Sequence, residues 1–97
     1  ISDESVATID RVAAVAKRVG GITIVVEGHT DTDGRADSNQ ALSEGRARSV
    51  REALIVRGIA ADTLTIVGFG GTEPILDAVG VENKAASRRV EFVVSAT

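Results

Sequence analysis

Cysteine is absent from this 97-residue chain. That excludes a disulfide framework, a thiolate zinc site and a thiol nucleophile, and it leaves the redox compartment open. Trp, Tyr and Met are also absent, and there are only two phenylalanines. With 43% apolar residues, the core has to be built from Val, Ile, Leu and Ala. A basic excess is missing too: the net charge is −3, with 11 Lys and Arg against 14 Asp and Glu. A nucleic-acid surface needs a basic patch and usually stacking aromatics, so no nucleic-acid partner is expected. No apolar run approaches the roughly 18 residues of a membrane helix, so this domain is not expected to insert in a membrane. No signal peptide is visible. The chain opens at Ile1-Ser2-Asp3 without methionine and reads as a domain cut from a longer protein. Residues 1–97 make one domain of ordinary small size.

What is present alternates between two periodicities. Val6, Ile9, Val12, Ala13, Ala16 and Val19 recur at helical spacing. Ser2 or Ser5 can cap this helix, with Asp3 and Glu4 near its positive end, and Gly20-Gly21 stops it. Residues 22–26 are a β-branched buried strand. A polar loop of about ten residues follows, His29 to Ser38, and loops of that length are often functional. A long helix is expected from Asn39 to Arg57, with Gly58 as its stop. Residues 63–69 form a second strand. Gly70, Gly71 and Pro74 break the chain, and a loop with one helical turn continues to Ser87. The last strand covers residues 89–94. The fold class is α/β, an α+β sandwich with two main helices packed on one mixed β-sheet.

The long helix carries an anomaly. At about 100° per residue, Leu42, Ala47, Val50, Ala53 and Leu54 fall in one arc about 140° wide. Arg46 falls inside that arc, and Asn39 projects into it one turn earlier. Three readings are open. Arg46 snorkels along the core with its head in water, it pairs structurally with Asp31 at the end of Gly28-His29-Thr30-Asp31, or it offers its planar fork to a ligand carboxylate. In the third reading Asp31 meets a ligand ammonium, and the pair suits a zwitterion.

The stretch Asn39-Gln40-Ala41-Leu42-Ser43-Glu44-Gly45-Arg46-Ala47-Arg48-Ser49-Val50, continuing to Leu54, resembles the signature helix of the OmpA-like peptidoglycan-binding domain. That helix reads N-x-x-L-S-x-x-R-A-x-x-V-x-x-x-L. The Gly28-His29-Thr30-Asp31 turn, Gly34, the strand through Gly70, the Pro74 loop and Arg88-Arg89-Val90-Glu91 match in order, over essentially the whole chain. The resemblance implies binding of peptidoglycan through the diaminopimelate residue of its stem peptide. It gives the diaminopimelate ammonium to Asp31 and its carboxylate to Arg46. Thr30, Thr32 and Gly34 would supply further hydrogen bonds, and Asn39 would brace the loop or touch the ligand. It implies a location in the cell envelope, periplasmic or wall-facing, and no enzymatic activity. The runner-up is a protein–protein adaptor of the same fold without wall binding.

Two departures stand out. Ser87 replaces the usual Asn before the paired arginines, which weakens a bracing contact. The family also opens with a strand ahead of the first helix, and here the chain begins at the helix. One sheet edge is then bare, which invites self-association.

Other candidates are weaker. His29 is the only histidine, and a lone histidine without cysteine is a poor metal set, so no metal and no cofactor are expected. Packing or hydrogen bonding at the strand end is its expected role. Asp31, Asp33, Asp37 and Gly34 faintly resemble a calcium loop, but Leu42 occupies the position of the closing acid. Gly68-Phe69-Gly70-Gly71 lacks the following helix of a phosphate loop. Lys84, Arg88 and Arg89 read as a solvated basic group or as contacts to anionic groups of the ligand, and Arg89 is carried forward as a candidate.

Overall fold

The computed structural model describes residues 3–96, with side chains from Ser5 onward. Helices pack on one face of a three-stranded mixed sheet. The order is α1 (Asp3–Val19), β1 (Ile22–Gly28), α2 (Ala36–Val56), a 3-10 turn (Ala61–Thr63), β2 (Leu64–Gly68), α3 (Lys84–Ser87) and β3 (Val90–Ala96). β1 is central. It runs parallel to β2, with Gly28 opposite Gly68, and antiparallel to β3, with Glu27 opposite Glu91. The parallel pair is joined through α2, the crossover a parallel pair needs.

The core lies between sheet and helices, as the aliphatic composition demands. Ile9, Ala13 and Ala16 of α1 meet Ile24 and Val26 of β1, Ala47, Val50 and Leu54 of α2, and Leu64 of β2. The alternation along β1 sends residues 24, 26 and 28 toward the helices and residues 25, 27 and 29 to the opposite face. Arg57 Nε reaches Asp10 Oδ1 at 2.5 Å and ties the two long helices together.

Several expectations are corrected. α2 begins at Ala36, three residues before Asn39, so the loop is shorter than expected. Asp37 explains the early start: it lies in the first turn, and its carboxylate accepts from the Ser38 N–H. The helix ends at Val56, β2 ends at Gly68 and β3 runs on to Ala96. Val19 and Leu42, both assigned to buried stripes, are 62% and 52% exposed. Val19 is the last residue of its helix. Leu42 lines an open groove instead of the core. Ser5 lies inside α1 and not at its cap, and the alternative cap Ser2 lies outside the described residues, as do the side chains of Asp3 and Glu4. The expected helical turn near Ser87 is α3, with Asn83 as its cap accepting from the Ala86 N–H.

Candidate functional site

The end of β1 is forced close to α2. A Cβ on Gly28 would lie 1.9 Å from the Ser43 carbonyl oxygen, so only glycine allows this crossing. Ser43 is fully buried, and its hydroxyl accepts from Gly70 N–H and donates to the Gln40 carbonyl. Gln40 in turn donates to the Gly68 carbonyl at 2.7 Å. Beyond Gly28 the chain is held on both sides: His29 N–H donates to the Arg89 carbonyl and Thr30 N–H to the Gly70 carbonyl. The turn carrying Asp31 is therefore fixed by backbone bonds to the residue just before β3 and to the segment just after β2.

Arg46 and Asp31 do not pair with each other. Arg46 donates from Nη1 to the His29 carbonyl at 2.6 Å. That carbonyl belongs to the turn that presents Asp31. Among the described residues Arg46 has no carboxylate partner within salt-bridge distance. It is half-buried in a groove of about 720 Å³ between α1, α2 and the start of β3. Leu42, Val50, Val90 and Phe92 line the groove, and Arg88 and Arg89 join Arg46 as its cationic side chains.

Asp31 is held by Arg88, whose Nη1 donates to Oδ2 at 2.8 Å. The Asp31 side chain is 14% exposed and that of Arg88 48%. The Arg88 hydrogen bond, with a second from Asp33 N–H, lowers the Asp31 pKa below the usual carboxylate value. Lys84 pairs with Asp33 at 3.0 Å, and its own pKa is raised chiefly by that hydrogen bond. Asp37 pairs with Arg35. The three loop aspartates thus go to three separate cations and do not converge as a calcium loop would.

The remaining sequence candidates brace the loop. Asn39 donates to the carbonyls of Asp33 at 2.8 Å and Asp31 at 3.4 Å. Gly34 sits beside Asn39 with φ 88, a conformation that favours glycine. Thr30 is buried and donates to the Asp31 carbonyl, and Thr32 donates to Glu82 Oε1. Arg89 lines the groove but spends its two Nη groups on the Ser87 and Glu73 carbonyls. Ser87 does not lose its brace. It is fully buried, accepting from Ile75 N–H and donating to the Asn83 carbonyl.

Arg88 is the residue the sequence hid. It lies 57 positions from Asp31, and the charge pattern offers only a basic group with no designated partner. His29, by contrast, turns its ring away from α2 and stacks on Phe69, with ring centroids 5.1 Å apart.

Comparison with known proteins shows the family to which the chain belongs. The sequence model of the OmpA family matches residues 1–88. Outer membrane porin F of Pseudomonas aeruginosa is 37% identical over 97 residues, covering 99% of this chain and 28% of that protein. The peptidoglycan-binding protein ArfA of Mycobacterium tuberculosis is 37% identical over 87 residues, 90% of this chain and 27% of that protein. The chain therefore spans little more than a quarter of these relatives. The C-terminal domain of Helicobacter pylori MotB superposes with a TM-score of 0.86 at 28% identity, covering all of this chain and 76% of that one. The chain is a cell-envelope domain belonging to the OmpA family.

Proposed function

We propose that the domain binds peptidoglycan non-covalently through the diaminopimelate residue of the stem peptide and so anchors an envelope protein to the wall. The observation that carries this reading is Arg46: a half-buried guanidinium in a groove, fastened to the Asp31 turn, with no anion paired to it among the described residues. A partly desolvated guanidinium without a counter-charge favours an anion, and a ligand carboxylate supplies one with bidentate geometry. The ligand ammonium goes to Asp31, replacing the Arg88 guanidinium that holds it. Arg88 and Arg89 then face the remaining anionic groups of the ligand. Asn39, Thr30, Thr32 and Gly34 keep the loop in the shape that presents Asp31 and offer their polar groups to the stem peptide. No bond is made or broken, so the role is not enzymatic. The name of the mycobacterial relative supports peptidoglycan as the ligand class.

Self-association belongs to the same proposal. β3 is bonded to β1 on one side only among the described residues, and Val93 and Val94 on it are 45% and 53% exposed. Such an edge accepts a strand from another copy.

The reading is tested by sedimentation with purified insoluble peptidoglycan. Asp31→Ala and Arg46→Ala should each abolish co-sedimentation while far-UV circular dichroism stays native. Retention of both variants on the wall would move the site elsewhere, or favour an adaptor whose partner does not need this pair.

A further inference from the structure

The face of the sheet turned away from the helices holds a second cluster, at the end of β1 opposite Arg46. Glu27 and Glu91 are directly opposed in the antiparallel register of β1 and β3. Like charges so placed repel. His29, two residues along the same face, brings Nε2 to 3.3 Å from Glu91 Oε2 and 3.9 Å from Glu27 Oε1. The histidine side chain is 0% exposed, and neither ring nitrogen has a hydrogen-bond partner. A hydrogen bond from Nε2 would sit at about 2.7–3.2 Å. Buried imidazole nitrogens almost always find partners, so this pair is an exception with a cause to be found.

We infer that Glu27, His29 and Glu91 form a binding site for a divalent transition-metal ion, with Zn2+ as its best-matched occupant. The three ligand atoms lie within 4.8 Å of one another. Zinc bonds to imidazole and carboxylate of about 2.0–2.2 Å place tetrahedral donors about 3.3–3.5 Å apart, so only small side-chain adjustments are needed. The imidazole favours a transition metal over Mg2+ or Ca2+, which prefer all-oxygen shells. Water supplies the fourth position, since Glu91 is half exposed. Coordination through Nε2 leaves the ring proton on Nδ1. Phe69 stacks on the imidazole with an interplanar angle of 10° and fixes its plane. Arg89 also reaches this cluster, with Nε 3.5 Å from Glu91 Oε1, the oxygen the metal does not use. The three metal-binding side chains take no part in the proposed wall contacts, and only Arg89 reaches both sites.

His29 is the only histidine in the chain, so its ring protons give one assignable pair of NMR signals. Titration of the 97-residue chain with Zn2+ should shift those signals saturably and raise the Tm, and Mg2+ should do neither. Glu27→Gln and Glu91→Gln carry the test because both carboxylates are partly exposed and need not disturb folding. Each should weaken Zn2+ binding by about tenfold or more, since even loss of an outer-shell partner costs that much. Asp37→Asn, outside the cluster, should leave the affinity unchanged. Unmoved His29 signals at saturating Zn2+, or an affinity equal to wild type in both glutamine variants, would overturn the site.

Discussion

Arg46 and Asp31 each answer to a neighbour that is not the other. The half-buried guanidinium leans on the His29 carbonyl, and the carboxylate leans on Arg88. Because the Asp31 pKa is lowered in the folded state, first by the Arg88 hydrogen bond, its contribution to stability is present at neutral pH. It is lost as pH falls below the unfolded carboxyl value of about 3.9 and through the folded one. Arg88→Ala should therefore be less stable than wild type in urea melts at pH 7, and the gap should shrink as pH falls below the unfolded carboxyl value and through the lowered folded one. A gap that does not shrink with falling pH would place the role of Arg88 elsewhere. The same lowered pKa keeps Asp31 ionised for a ligand ammonium in mild acid, so wall binding in Arg88→Ala should begin to fade at a higher pH than in wild type. Periodicity found Arg46 because a cation stands out against an apolar arc. It could not find Arg88, whose partner is 57 residues away and whose neighbours are equally basic.

The placement of Asp31 depends on how closely α2 approaches β1 and the end of β2. Gly28 has no room for a Cβ against the Ser43 carbonyl, so Gly28→Ala should push the helix outward. We expect a loss of about 1–3 kcal/mol, the range for overpacked cores, and weakened wall binding with it. Ser43→Ala removes the acceptor of the buried Gly70 N–H. It should cost about 1–3 kcal/mol, the penalty for one orphaned buried polar group. Chemical denaturation measures both losses, and an unchanged midpoint in either variant would refute the close-packed junction. The elements themselves were legible because α1 carries a helical period, β1 is a β-branched run and β3 alternates at its start. Their ends were not. Asp37 starts α2 early through a local carboxylate bond, and Leu42 is exposed because a groove opens beside it. Neither effect is visible to an angular average over side chains. Ser43 stood out only as a fixed position of the signature helix, with no sign of the Gly70 N–H it bolts.

Across the molecule, one face of the sheet is covered by helices and holds the groove, while the other carries the Glu27, His29 and Glu91 cluster. Leu54 is fully buried where α2 meets the sheet, and Leu54→Ala should cost about 2–5 kcal/mol in the whole domain's unfolding. The α+β architecture and the family were both readable in advance, since motifs in correct order run the length of the chain. Self-association through the β3 edge should appear in sedimentation velocity as a concentration-dependent dimer, and a lysine at Val93 should suppress it. The central claim is chemical: Arg46 reads the carboxylate that distinguishes diaminopimelate from lysine. The direct measurement is calorimetric titration of wild type and Arg46→Ala with two stem peptides that differ only in that residue. Wild type should bind the diaminopimelate peptide about tenfold or more tightly, as a charge-assisted hydrogen bond of about 1.5–3 kcal/mol requires. Arg46→Ala should bind both peptides equally weakly. A preference for diaminopimelate that survives in Arg46→Ala would contradict it.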